Sequence, residues 1–142
     1  MPSTREGSQA LFYVGERAFG PARIELGWRS ERVRLDPSAG ADAPARRFGL
    51  NALSLGSSLA LGSGYALSAG VTSGQRAPAI EELYANGLHA ATATFENGNP
   101  ELRPERSTNI DFALRKTTGA LQGRLGVYAN RFANYIHGDL TD

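Results

Sequence analysis

The sequence predicts an all-β fold, an antiparallel meander of about six long strands. Three observations carry that prediction. Apolar and polar residues alternate with period two in six separate segments. Helix-period patterning is confined to one short piece, and short turns alternate with long connections along the chain.

The first segment is "ALFYVGERA", which puts Ala10, Phe12 and Val14 on one face. Residues 1–7 before it lack the pattern and are expected to be disordered. In the second, "ARIELGWRSERVRL", Ala22, Ile24, Leu26 and Trp28 share a face, with Arg23, Glu25 and Arg29 opposite. The third lies between Phe48 and Leu61: Leu53, Leu55, Leu59 and Leu61 share a face with Ser57, and their neighbours Ser54, Gly56 and Ser58 are small or polar. In the fourth, Tyr65, Leu67, Ala69 and Val71 alternate with Ala66, Ser68, Gly70 and Thr72. The fifth sets Ile110, Phe112 and Leu114 against Asn109, Asp111 and Arg115. The sixth sets Leu121, Leu125, Val127 and Ala129 against Gln122, Arg124, Tyr128 and Asn130.

Tight-turn residues stand at Phe19–Pro21, Gly62–Gly64 and Thr117–Gly119. They alternate with longer links, roughly Asp36–Ala45 and residues 77–104. The second link far exceeds the usual connection, and loops of that length commonly carry function. Within it, Ile80–Tyr84 is expected to form a helical turn, with Pro78 at the first helical position and Glu81 and Glu82 near its positive end. Asn86-Gly87 would stop it. "GNP" and "LRPE" are then proline-enforced extended pieces that deliver the chain to a strand starting near Glu105.

Composition narrows the function classes. Fifteen basic side chains against fourteen acidic ones leave a net charge of +1, without the excess that nucleic acid demands. With no cysteine, disulfides and thiolate metal sites are excluded. No apolar run reaches the roughly 20 residues of a membrane helix, and "MPSTREGSQ" lacks the apolar core of a signal peptide. Strands can cross a membrane without either feature.

Long strands with one apolar face, one polar or small face, and unequal ends suit an outer-membrane β-barrel. Leu, Val, Ile, Phe and Trp would meet lipid; Arg, Glu, Asn, Gln, Ser and Gly would meet the lumen. A soluble sheet with a recognition loop alternates in the same way, and a passive porin-like wall is a third reading. Six strands fall short of the roughly eight in the smallest membrane barrels, so the barrel reading makes the chain a piece of a larger wall.

The stretches "RAPAIEELYANG" and "GNPELRPERSTNID" carry a resemblance. With Arg76, Pro78, Glu82, Leu83, Tyr84, Gly87, Gly98, Asn99, Pro100, Leu102, Pro104 and Glu105 at this mutual spacing, the chain resembles the TonB-dependent outer-membrane receptors. The likeness runs from about Arg17 to Gly138 and is strongest between Ser73 and Lys116. It implies a place in the C-terminal half of a 22-stranded barrel, outer-membrane lipid around the wall, and 77–104 as an extracellular loop. It also implies partners: a plug domain inside the barrel, and the TonB complex that energises import of iron chelates, haem, cobalamin, metals or sugars. No plug, energy-coupling box or signal peptide is evident, so the expectation is a fragment spanning 1–142. "YANGLH" at Tyr84–His89 looks most like the zinc-uptake branch, in which a loop histidine helps to bind metal.

The candidate binding residues follow. His89 is a good zinc ligand type, and Glu81, Glu82 or Glu96 would complete such a site; His137 is a weaker candidate. Arg76, Arg103 and Arg106 would attract an anionic chelate, or else pair with Glu101 and Glu105. Trp28, Tyr65, Tyr128 and Tyr135 are candidates for interfacial aromatic girdles. No catalytic residue is assigned. A nucleophilic Cys, a phosphate-cradling Gly loop and a Gly-x-Ser-x-Gly elbow are all missing, and adjacent Glu81 and Glu82 point differently. The chain is read as a non-enzyme without a resident cofactor, zinc or an iron chelate entering only as cargo.

Overall fold

The computed structural model describes residues 2–38, 43–89 and 94–138, except the side chains of His89 and Thr94. Six long strands dominate: β1 (Thr4–Phe19), β2 (Ala22–Pro37), β3 (Arg46–Gly62), β4 (Tyr65–Arg76), β7 (Glu105–Lys116) and β8 (Gly123–Ala133). The link between β4 and β7 holds a short helix, α1 (Ile80–Tyr84), and a small hairpin, β5 (Asn86–His89) with β6 (Thr94–Asn97). The long strands form one antiparallel sheet in the order β1-β2-β3-β4-β7-β8, so each pairs with its neighbour along the chain.

At the short-turn end, the turn between β3 and β4 places three successive residues at positive φ: Gly62, Ser63 and Gly64. Glycine at two of them removes most of the steric penalty. Thr117 donates its N–H to the Gly64 carbonyl at 2.9 Å, and the Thr118 hydroxyl bonds the Ser63 carbonyl at 3.0 Å. Neighbouring turns are thereby tied into one rim.

Strand register sorts the side chains into two faces. Leu26 sits opposite Leu55, Leu55 opposite Val71, Val71 opposite Ile110, and Ile110 opposite Ala129. Rows above and below repeat this, giving one face an apolar band from Trp28 and Leu53 down to Tyr65 and Leu67. The opposite face carries the row Glu16, Glu25, Gly56, Gly70, Asp111 and Tyr128. Ion pairs such as Arg23–Glu16 and Arg29–Glu31 lie on this second face. The apolar band stands largely uncovered, with Leu53 and Phe112 just over half exposed. An exposed apolar face this extensive needs a partner such as lipid.

β2 and β3 have 16 and 17 residues, whereas a crossing needs about 9–11. In the surplus length the two faces exchange character. Beyond Trp28 and Leu53 the formerly apolar face becomes Ser30, Arg32, Arg34 and Asp36 on β2, and Asn51, Gly49 and Arg47 on β3. The formerly polar face becomes Val33, Leu35, Phe48 and Leu50, all buried. These four form a core with Leu83 and Tyr84 of α1, with Ala43, Ala77, Ile80 and Leu102 packed around them. The long loop therefore folds back onto the inner side of the wall, above the apolar band.

Several expectations are corrected. β1 begins at Thr4, so residues 4–7 are strand rather than disordered; their pairing with Arg34–Pro37 supplies the backbone partners that composition alone does not reveal. Phe12 and Val14 pair with Arg29 and Gly27 on the polar face, while Leu11, Tyr13 and Phe19 join the apolar one. Four consecutive apolar residues, Leu11–Val14, leave the period ambiguous there. Leu121 precedes β8 and belongs to the turn. Pro78 lies one residue outside the N-cap, Ala79, rather than at the first helical position. Trp28 and Tyr65 lie on the apolar face at its two ends, but Tyr128 faces the polar side opposite Asp111, and Tyr135 lies beyond β8. Tyr13 and Phe19 take girdle-like places instead, Phe19 with the Arg17 guanidinium 5.1 Å from its ring centre. Tyr65 is matched by the Lys116 ammonium at 5.0 Å.

Candidate functional site

The segment from Arg76 to Glu105 is held by a small set of interlocking contacts. Glu82 sits at the third position of α1, and its carboxylate accepts the Ala79 N–H at 2.6 Å, closing the N-terminal turn. The same carboxylate takes both arms of the Arg76 guanidinium, at 3.0 and 3.2 Å. Arg76 also reaches Glu105 at 3.5 Å, and Glu105 accepts the Ile136 N–H at 3.1 Å. One arginine and two glutamates thus connect the end of β4, the helix, the start of β7 and the chain beyond β8. Partial burial works to raise the Glu82 carboxyl, but the hydrogen bonds from Arg76 and Ala79 outweigh it and hold its pKa below the ordinary value.

Leu83 and Tyr84 anchor the other side. Leu83 is wholly buried, and Tyr84 donates its hydroxyl to the Pro44 carbonyl at 2.7 Å. Arg46 bonds the Leu102 carbonyl at 2.9 Å. Gly98 lies so close to the helix end that a Cβ there would stand 2.6 Å from the Leu83 carbonyl carbon and 2.6 Å from the Tyr84 nitrogen. That approach lets Gly98 N–H reach the Ala85 carbonyl at 2.7 Å and Asn99 N–H reach the Glu82 carbonyl at 2.9 Å. Asn99 then turns the chain by accepting the Glu101 N–H at 2.9 Å. The motif residues Arg76, Glu82, Leu83, Tyr84, Gly98, Asn99, Leu102 and Glu105 are mainly the latch that fixes the loop. Gly87 is the second residue of β5, at a φ of 157 that residues with a side chain rarely adopt. Pro100 and Glu101 form a turn closed by the Leu102 N–H on the Asn99 carbonyl at 3.3 Å, so "GNP" enters a turn where an extended piece was expected, and Pro104 stands just before β7.

Beside the latch lies an open cleft of about 700 Å³, lined by Glu81, Glu82, Phe95, Glu96, Tyr135 and His137 among others. Its size suits a small molecule. The structure therefore brings Glu81, Glu82, Glu96 and His137 to one cleft from α1, β6 and the segment after β8. They do not converge on one point: among the described residues no three His, Asp or Glu side chains come together as metal ligands. Glu82 is already engaged by Arg76. The His89 backbone pairs with Thr94 at the tip of the hairpin, and its side chain lies outside those described.

The three arginine candidates are separated. Arg76 is neutralised in the latch. Arg103 is exposed in the segment before β7. Arg106 pairs with Gln75 on the outer face, away from the cleft. Sequence reasoning missed Tyr135 as a cleft residue; its ring stacks on His137 at 6.0 Å and meets Phe132 edge-on at 5.6 Å. It also missed Phe95, exposed opposite Leu88 on the hairpin. An apolar pair in so short a segment gives no period to read.

A family model described as "TonB dependent receptor-like, beta-barrel" matches residues 1–142.

Proposed function

Because the chain belongs to the TonB-dependent receptor β-barrel family, whose members transport substrates across the outer membrane, we propose that its loop cleft forms part of the outward-facing surface that captures a metal chelate. The observation that carries this reading is the cleft itself, with Glu81 and Glu96 beside the stacked rings of Tyr135 and His137. Carboxylates at its edge with Arg76 neutralised favour a neutral or cationic complex over an anionic one. The aromatic rings offer apolar surface to a chelating ligand. In this role the segment occupies the C-terminal part of the barrel, the loop faces outside, and the plug and TonB complete the import path.

A bare zinc ion is the second reading, favoured by the "YANGLH" resemblance through His89. Titration of the detergent-solubilised chain with a neutral ferric chelate, and separately with zinc, tests both. Glu81→Gln with Glu96→Gln should weaken chelate binding about tenfold, in keeping with the loss of charge-assisted contacts. Unchanged chelate affinity would refute the cleft reading. Zinc binding that disappears in His89→Ala, with no chelate binding at all, would replace it with the zinc reading.

A further inference from the structure

Above the apolar band, the outer face of the wall changes abruptly from hydrocarbon to guanidinium. Arg5, Arg32, Arg34, Arg47, Arg106 and Arg131 all occupy this face, and Asp36 is the one acidic residue among them in the described strands. The register concentrates the charge. Arg34 stands directly opposite Arg47, and Arg32 lies two residues along on the same face. Like charges directly opposite across antiparallel strands are unfavourable. The single nearby ion pair, Arg34 with Asp36 at 2.5 Å, offsets one of them; the same carboxylate also attracts Arg47 and Arg5, so one acidic group is shared among three guanidiniums and does not act on Arg32.

Between these side chains lies a shallow hollow of about 620 Å³, lined by Gly7, Gln9, Arg32, Arg34, Arg47 and Gly49 among others. Gly7 and Gly49 sit in the same cross-strand rows as the arginines: Gly7 beside Arg34, and Gly49 beside Arg32. A Cβ at either glycine would meet nothing within 4 Å, so the floor is open to a group from outside. Directly below, on the same face, Leu11, Tyr13, Trp28 and Leu53 begin the apolar band.

We propose that Arg32, Arg34 and Arg47 form a binding site for the phosphate of an anionic lipid headgroup in the outer leaflet, with its acyl chains lying along the apolar band beneath. Guanidinium forks match phosphate oxygens bidentately, and a doubly charged phosphate relieves the repulsion between the opposed arginines. Continuity with the apolar band distinguishes a lipid from free phosphate, since one molecule then satisfies both surfaces. The site rests on the reading of the apolar face as lipid-facing, and lies on the opposite side of the wall from the cleft.

The test is native mass spectrometry of the detergent-solubilised chain, incubated with phosphatidylcholine, phosphatidic acid or diphosphorylated lipid A. The phosphate-bearing lipids should be retained preferentially. Each arginine near an anionic membrane surface is worth about fivefold in affinity, so the triple variant Arg32→Gln, Arg34→Gln, Arg47→Gln should lower retention on the order of a hundredfold. Arg23→Gln with Arg29→Gln, on the inner face, should leave it unchanged, and excess inorganic phosphate should displace little. Equal retention of phosphatidylcholine and phosphate-bearing lipids, an inert triple variant, or full displacement by inorganic phosphate would overturn the site while leaving the lipid-facing wall intact. Failure to retain any lipid would overturn both.

Discussion

Replacing Gly98 by alanine tests the latch at its tightest point. The added methyl would stand 2.6–2.7 Å from three backbone atoms at the end of α1, the Leu83 carbonyl carbon and the Tyr84 and Ala85 nitrogens. None of these is the far end of a flexible side chain, so the helix and the Gly98–Asn99 segment must separate. Overpacking of this kind costs about 1–3 kcal/mol. Separation also weakens the hydrogen bonds from Gly98 to Ala85 and from Asn99 to Glu82, each worth about 1 kcal/mol net. A combined loss of about 3 kcal/mol would make opening of the loop roughly 150-fold more frequent. Amide hydrogen exchange in the detergent-solubilised chain measures this directly. Leu83, Ala85 and Asn99 should exchange faster by about that factor, while Ile110 and Val71 in the wall should not change. Exchange at Leu83 and Ala85 within about threefold of the parent chain would refute the close-approach reasoning.

Leu83→Ala, at the wholly buried centre of the loop core, should cost about 2–5 kcal/mol of loop stability, read by the same exchange experiment. Because Glu82 titrates below the ordinary glutamate value when folded, its contribution is fully present above the unfolded pKa of about 4.3 and is lost as pH falls through the lower folded value. Protection of α1 should therefore be flat near neutrality and drop in acid; Glu82→Gln should remove that acid step and lower neutral protection by about 1 kcal/mol or less, since Arg76 is half exposed. Phe112→Arg, in the middle of the apolar band, should destabilise the membrane-inserted wall by about 2–4 kcal/mol. Asn109→Arg, on the opposite face, should cost under about 1 kcal/mol in the same urea titration of vesicle-reconstituted protein.

The membrane-crossing half of each strand is legible in the sequence because lipid on one side and water on the other enforce period two. Leu53, Leu55 and Leu59 on β3, or Ile110, Phe112 and Leu114 on β7, need no tertiary knowledge to assign, whereas Leu61 falls at the register shift between Ala60 and Gly62, where the alternation breaks. The helix at Ile80–Tyr84 is equally legible, because Glu81 and Glu82 mark its start. The upper halves of β2 and β3 are not. Val33, Leu35, Phe48 and Leu50 alternate as cleanly as the residues below them, but their burial depends on Leu83 and Tyr84 returning from far along the chain. The face exchange is therefore a tertiary fact written in a local pattern.

The same limit governs the candidate site. A glutamate in a loop reads as a possible ligand, and only the arrival of Arg76 and the Ala79 N–H shows that Glu82 is a structural residue. Arg106 reads as a cleft arginine until the register with Gln75 puts it on the outer face. The resemblance locates the motif, whereas the structure shows what its residues do in this chain: Arg76, Glu82, Gly98 and Glu105 together fold the loop against the wall.

One face of this sheet is assigned to lipid up to Trp28 and Leu53, with the two faces exchanging character above them. The chain has no cysteine, so single cysteines introduced along β3 can be spin-labelled one at a time in the vesicle-reconstituted protein. Labels at Leu53, Leu55 and Leu59 should be accessible to oxygen dissolved in the bilayer, with labels at Ser54, Gly56 and Ser58 accessible instead to a water-soluble nickel reagent. At Arg47 and Gly49 the outer face should switch to the nickel reagent, and Phe48 and Leu50 should be shielded from both. Oxygen accessibility without period two between Leu53 and Leu59, or lipid exposure continuing to Arg47, would contradict that assignment.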